Sequence, residues 1–129
     1  MVGMRILVVE DQDSIRSMIE ALVSASGHQV VAVSSGAKAL EIAIASPPDI
    51  VLLDLHLPGQ FDGFAVCSKL RASPKTKDVP VVIISARDDA PSRARATEVG
   101  ANAYYGKPFS PMALLKEIER QGRPPAAGD

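Results

Sequence analysis

The sequence is poor in the features that would settle its class at once. It has a single cysteine, Cys67, so no intramolecular disulfide can form, and a reducing compartment, the cytoplasm, is expected. Fourteen basic side chains face fifteen acidic ones for a net charge of -1. A global field drawing the chain to nucleic acid or an anionic membrane is thereby excluded. The basic group Arg71, Lys75 and Lys77 has no interleaved aromatics and reads as a solvated loop rather than a nucleic-acid patch. No apolar run approaches the roughly 20 residues needed to span a bilayer, and Met1 to Glu10 lacks the pattern of a secretory signal. With 129 residues the chain is long enough for one buried core and too short for two.

What is present is a regular alternation. Ile6–Val9, Val30–Val33, Ile50–Leu53 and Val81–Ile84 are continuous runs of branched aliphatics, as buried strands of a parallel sheet require, and Ala103–Tyr105 is a weaker fifth. Helical patterns lie between them. One is capped by Asp13 or Ser14, carries Ile15, Met18, Ile19, Leu22 and Val23, and stops at Gly27. Others run from Gly36 to about Ala45, from Phe64 to Ala72, from near Pro91 to Gly100, and from Ser110-Pro111 through Met112, Leu114, Leu115 and Ile118. Five strands alternating with five helices imply crossover connections and a mostly parallel sheet covered on both faces. Residues 1–121 form one domain in this reading, and 122–129 a frayed tail or the start of a linker.

In open doubly wound sheets, ligands bind outside the carboxyl ends of the strands. Glu10 and Asp11 follow the first run, Asp54 ends the third, Ser85 the fourth, and Lys107-Pro108 follows the fifth. Asp54 is the most telling, because an uncompensated carboxylate inside an aliphatic strand is costly to bury. If the first and third strands are neighbours, Glu10, Asp11 and Asp54 converge, and a hard divalent ion, Mg²⁺ (or Mn²⁺), relieves their repulsion. Lys107 adds a second positive group. Such a site suits phosphoryl transfer, with Asp54 as nucleophile, Glu10, Asp11, Asp54 and the backbone carbonyl of His56 at the metal, and Ser85 and Lys107 on phosphoryl oxygens. His56 and Arg87 are candidates for tuning how long the phosphoryl group survives. Tyr105 and Cys67 read as plain core, and His28 as a surface residue at a helix end.

The motifs Val8-Val-Glu-Asp11, Leu53-Asp-Leu-His-Leu-Pro58, Asp62-Gly63, Ser85-Ala86 and Lys107-Pro-Phe109 stand in the order and near the spacing of a known family. From about Arg5 to Arg120 the chain resembles the response-regulator receiver domain. The resemblance implies a flavodoxin-like five-stranded parallel sheet of order 2-1-3-4-5 and Mg²⁺-dependent phosphorylation by a partner histidine kinase or phosphotransfer protein. It also implies a cis Lys107–Pro108 peptide, a switch pair of Ser85 and Tyr104, and output through the face of the fourth helix, fifth strand and fifth helix. It implies a signalling switch with chemistry only toward itself, not a metabolic enzyme, in a stand-alone regulator or a domain of a longer protein.

Three departures stand out: Glu10 where aspartate is commoner, Ser85 where threonine is commoner, and one extra residue among Gly59, Gln60 and Phe61. A scaffold that is never phosphorylated is the alternative. A flavin carrier on the same fold is disfavoured, since the acidic Glu10–Asp13 segment would repel a phosphate. The kinase, the downstream partner, and the choice between monomer and phosphorylation-dependent dimer are not legible in the sequence.

Overall fold

The computed structural model describes residues 3–122. The chain alternates strand and helix throughout: β1 Arg5–Val9, α1 Asp13–Ala25, β2 Gln29–Val33, α2 Gly36–Ala45, β3 Ile50–Leu53, α3 Gly63–Ala72, β4 Val81–Ser85, α4 Ala90–Glu98, β5 Ala103–Gly106 and α5 Pro111–Gly122. The five strands form one parallel sheet in the order β2-β1-β3-β4-β5. This is the expected flavodoxin-like fold.

The sheet splits the apolar residues between two cores by strand parity. Leu7, Val9, Val51, Leu53, Val81 and Ile83 pack on one face with α2, α3 and α4, through Leu40, Phe64, Val66, Leu70 and Ala96. Ile6, Val8, Ile50, Leu52, Val82 and Ile84 pack on the other with Ile19 and Val23 of α1 and Leu114 and Ile118 of α5. β1, β3 and β4 are covered on both sides, which is why they read as continuous apolar runs.

The second run differs from expectation. β2 is an edge strand, so only Val33 is buried and Val31 is exposed. β5, the other edge, is half-buried along its length.

The helix ends follow local chemistry. Ser35, Asp62 and Asp89 cap α2, α3 and α4 by accepting from the backbone N–H three residues on. The cap of α1 falls on Gln12 rather than Asp13 or Ser14, and its side chain makes no capping bond. Instead Asp13 pairs with Arg16 at 2.6 Å, while the Gln12 N–H donates to Glu10 Oε2. Gly27, at φ +92°, follows the C-cap Ser26, as the stop signal requires.

Gln121 and Gly122 continue α5, where Gln121 Nε2 donates to Glu117. The remainder of the expected tail, 123–129, lies outside the described residues. Among those described, no helix is long and apolar enough to cross a membrane.

Candidate phosphoacceptor site

The residues just beyond the strand ends continue the ladder, and this brings the candidates together. Glu10 N–H donates to the Val33 carbonyl, Asp54 N–H to Val9, and Lys107 N–H to Ser85. Since Val9 pairs with Leu53, the next residues on the two strands, Glu10 and Asp54, stand side by side. Both are buried, Glu10 1% and Asp54 4% exposed, whereas Asp11 beside them is exposed. One carboxylate oxygen from each of the three lies within 4.8 Å of the others.

Lys107 reaches across the sheet edge into this acidic group. Its Nζ lies 2.6 Å from Glu10 Oε1 and 3.5 Å from Asp54 Oδ2, with the side chain 13% exposed. One ammonium therefore serves two buried carboxylates. Burial pushes the Glu10 carboxyl above its ordinary pKa; the hydrogen bonds from Lys107 and Gln12 pull the other way, and the charge of Asp54 adds to the rise.

The surrounding backbone fixes these groups. The His56 N–H donates to Asp54 Oδ1 at 3.3 Å, while the His56 side chain is exposed. Asp62 caps α3 with Oδ1 2.8 Å from the Ala65 N–H. Gly63 at the start of α3 lies so close to the chain at Asp54 that a Cβ there would strike the Asp54 carbonyl oxygen. In the loop before Asp62, Gly59 takes a positive φ of +86°, while Phe61 packs onto the α2/α3 core under the Lys69 ammonium, 5.1 Å from the ring centroid.

Ser85, the last residue of β4, is fully buried, and its Oγ accepts from the Arg87 N–H at 3.1 Å. Its hydrogen bond is thus to its own loop, not to Asp54. The Tyr104 hydroxyl donates to the Arg87 carbonyl. Burial pushes the Tyr104 hydroxyl pKa up, with Ser85 opposing and Asp88 and Asp89 reinforcing. The Lys107–Pro108 peptide is cis.

Beside Lys107 a groove of about 460 Å³ opens between α1 and the loop after β5, lined by Gln12, Ile15, Met18, Ala86, Pro108 and Phe109.

Several roles were hidden from the sequence. Arg16 donates to the Glu10 and Asp11 carbonyls and so braces the acidic loop from α1. Arg71 is not a solvated loop residue: its guanidinium donates to the carbonyls of Val79 and Gly100 and to Asn102 Oδ1, tying α3 to the opposite end of the sheet. Tyr105 is more than core, because its hydroxyl donates to Glu117 at 2.8 Å. His28 Nδ1 accepts from the Met4 N–H at 3.0 Å. Cys67 is buried as expected.

The family model of the response regulator receiver domain matches residues 6–119. The chain belongs to this family. Its curated relatives include the response regulator PleD of Caulobacter vibrioides, 39% identical over 88% of this chain and 25% of PleD. The transcriptional regulatory protein GltR of Pseudomonas aeruginosa is 36% identical over 91% of this chain and 48% of GltR. The chain spans less than half the length of the curated relatives it matches.

Among solved structures, the receiver domain of the sensor histidine kinase PA1611 from Pseudomonas aeruginosa, which has a magnesium ion in its active-site cleft, superposes with a TM-score of 0.86. The two are 30% identical over 93% of this chain and 98% of that one. The chemotaxis regulator CheY4 of Vibrio cholerae gives a TM-score of 0.85 at 27% identity, over 93% of this chain and 98% of that one. The protein is thus a receiver domain of the kind found in two-component systems, and its acidic cluster is compatible with magnesium.

Proposed function

We propose that this receiver domain takes a phosphoryl group onto Asp54 from a phosphohistidine of a histidine kinase or phosphotransfer protein, with a divalent cation bound beside it. The observation that carries the reading is the charge balance at the sheet edge. Glu10 and Asp54 are buried side by side, Asp11 is within reach of both, and a single ammonium, Lys107, faces them. A set of carboxylate oxygens in excess of their counter-charge fits a hard divalent ion such as Mg²⁺. Glu10, Asp11, Asp54 and the His56 carbonyl would hold it. When bound, the ion neutralises negative charge on the transferring group and orients its oxygens.

The residues divide the work. An Asp54 carboxylate oxygen attacks phosphorus as the P–N bond to the donor imidazole breaks, and the bonding electron pair returns to the ring nitrogen. Lys107, already 3.5 Å from Asp54 Oδ2, supports a phosphoryl oxygen placed there. Ser85, buried at the end of β4, lends its hydroxyl to another. Hydrolysis by water returns Asp54 to the free carboxylate, so the domain acts chemically only on itself.

The apolar groove beside Lys107, with Met18 49% exposed on its rim, supports docking of the phosphodonor there. The α4, β5 and α5 face is the output surface in this reading, and a reducing cytoplasm suits the free Cys67.

The test uses phosphoramidate, a small donor that also carries a P–N bond. With Mg²⁺ the native chain should gain a hydroxylamine-labile phosphoryl group, and Asp54→Asn should gain none. Labelling that persists in Asp54→Asn would refute the assignment.

A further inference from the structure

The loop that leaves β4 is fastened to β5 by a second set of contacts, outside the acidic cluster, that ends on Ser85. Arg93, in the first part of α4, holds its guanidinium 4.6 Å from the centroid of the Tyr104 ring. Its Nε lies 2.5 Å from Asp88 Oδ1. Asp88 in turn lies over the end of β5, where a Cβ on Gly106 would approach Asp88 Oδ2 to 2.8 Å. Beneath the guanidinium, the Tyr104 hydroxyl donates to the Arg87 carbonyl, and the N–H of Arg87 donates to Ser85 Oγ. Asp88, Arg93, Tyr104, Arg87 and Ser85 therefore form one continuous chain of contacts from solvent to the buried hydroxyl.

The α4 start is rigid enough to act as the frame for this clasp. Asp89 caps it, accepting from the Ser92 N–H at 2.9 Å and the Ser92 hydroxyl at 3.0 Å, with Pro91 in the first turn. Arg93 is thus presented from a fixed helix end. The Asp88–Arg93 pair is about half-exposed and contributes little as an isolated ion pair. Its effect is geometric: it removes the rotamer freedom of a long side chain that must lie flat on an aromatic ring.

We propose that Arg93, pinned by Asp88, is a positioning residue that closes over Tyr104 and holds the Ser85–Arg87 loop in the arrangement that receives the phosphoryl group. Ser85 acts as acceptor in its contact with Arg87 and lies beside the Tyr104 hydroxyl, so the clasp fixes the buried hydroxyl from two sides. A loop already ordered by the clasp does not have to be ordered on binding, so the clasp favours affinity. This second step rests on the phosphoacceptor reading; the position of Tyr104 does not.

The experiment separates the two. The chain has two tyrosines and no tryptophan, so Tyr105→Phe leaves Tyr104 as the only strong intrinsic fluorophore. In that background, acrylamide quenching reports exposure of Tyr104, and titration with beryllofluoride in Mg²⁺ reports affinity for a phosphoryl mimic. Arg93→Ala should raise the quenching constant about twofold or more and weaken beryllofluoride about two- to fivefold, the range expected for loss of one exposed cation–π contact. Asp88→Asn should move both readouts the same way and less far. Arg93→Lys, which keeps the charge without the planar stack, should fall between Arg93→Ala and native.

Because both side chains are about half-exposed, the fold survives these changes, which circular dichroism checks. Quenching unchanged in Arg93→Ala overturns the proposal. So does raised quenching with native affinity, since Tyr104 would then be uncoupled from the site. Absence of Mg²⁺-dependent beryllofluoride binding in the native chain overturns the phosphoacceptor reading instead, and quenching alone then decides whether Arg93 positions Tyr104.

Discussion

Two buried glutamates, at different places in the same small fold, meet opposite treatment. Glu117 of α5 is surrounded by donors: the Tyr105 hydroxyl at 2.8 Å, Arg120 Nη2 at 2.6 Å and Gln121 Nε2 at 2.6 Å. Burial alone would raise its carboxyl pKa, but these three bonds outweigh it and hold the group below the ordinary carboxylate value. Glu10 has Lys107 and one backbone N–H, shares that lysine with Asp54, and is held above the ordinary value. The contrast separates structure from function. A carboxylate whose charge is met within the protein is part of the scaffold, whereas one left with a neighbouring carboxylate and half a counter-ion is poised for something that arrives from outside.

The comparison is broken most severely by removing Lys107. Lys107→Met leaves Glu10 and Asp54 buried without a cation and should cost about 3 to 5 kcal/mol in urea unfolding. Millimolar Mg²⁺ should restore much of the loss, because the ion binds only the folded cluster. Glu117→Ala should cost less, about 1 to 2 kcal/mol, since the half-exposed donors it abandons turn to water, and Mg²⁺ should recover none of it. Equal recovery in the two variants would erase the distinction between the clusters.

Asp54→Asn should have a smaller effect of the opposite sign. It removes one of two adjacent buried negative charges while leaving Lys107 with Glu10, and should stabilise the metal-free domain by about 1 kcal/mol while abolishing its chemistry. A destabilised Asp54→Asn would show that the carboxylates are not in conflict.

The finest contrast is in pH dependence. The Glu117 pKa is depressed in the folded state below its value of 4.5 when unfolded, so its stabilisation is present above that value and lost as pH falls through the folded one. The gap in stability between native and Glu117→Gln should therefore close on acidification. Glu10 has the other sign: with its folded pKa raised above 4.5, the folded state binds the proton more tightly, and ionisation costs stability as pH rises. In metal-free buffer Glu10→Gln should gain on native at neutral pH and lose that gain in acid. Parallel slopes for the two variants would contradict the assignment.

The same contrast explains what could be read in the sequence. Asp54 was visible because it ends the aliphatic run Ile50–Leu53, and strand adjacency then brought Glu10 and Asp11 to it and Lys107 opposite. The central strands are legible because they are covered on both faces; β2 reads like them, although it lies at the sheet edge and is mostly uncovered, because composition does not reveal strand order.

Glu117 and Arg71 were missed because charged residues within a helix ordinarily face solvent. Glu117 did carry a signal: it lies three residues after Leu114 and one before Ile118, on the buried stripe of α5. Arg71 carried none, since the carbonyls of Val79 and Gly100 that it meets are brought together only by the fold.

The central claim is that Asp54 is the acceptor and that the acidic cluster works with a divalent ion. Intact-mass measurement after incubation with acetyl phosphate, with and without Mg²⁺, on the native chain and on Asp54→Asn tests it most directly. The account predicts gain of one phosphoryl group in the native chain with Mg²⁺ and none in the other three samples. No gain in the folded native chain with Mg²⁺, or an equal gain in Asp54→Asn, would contradict it.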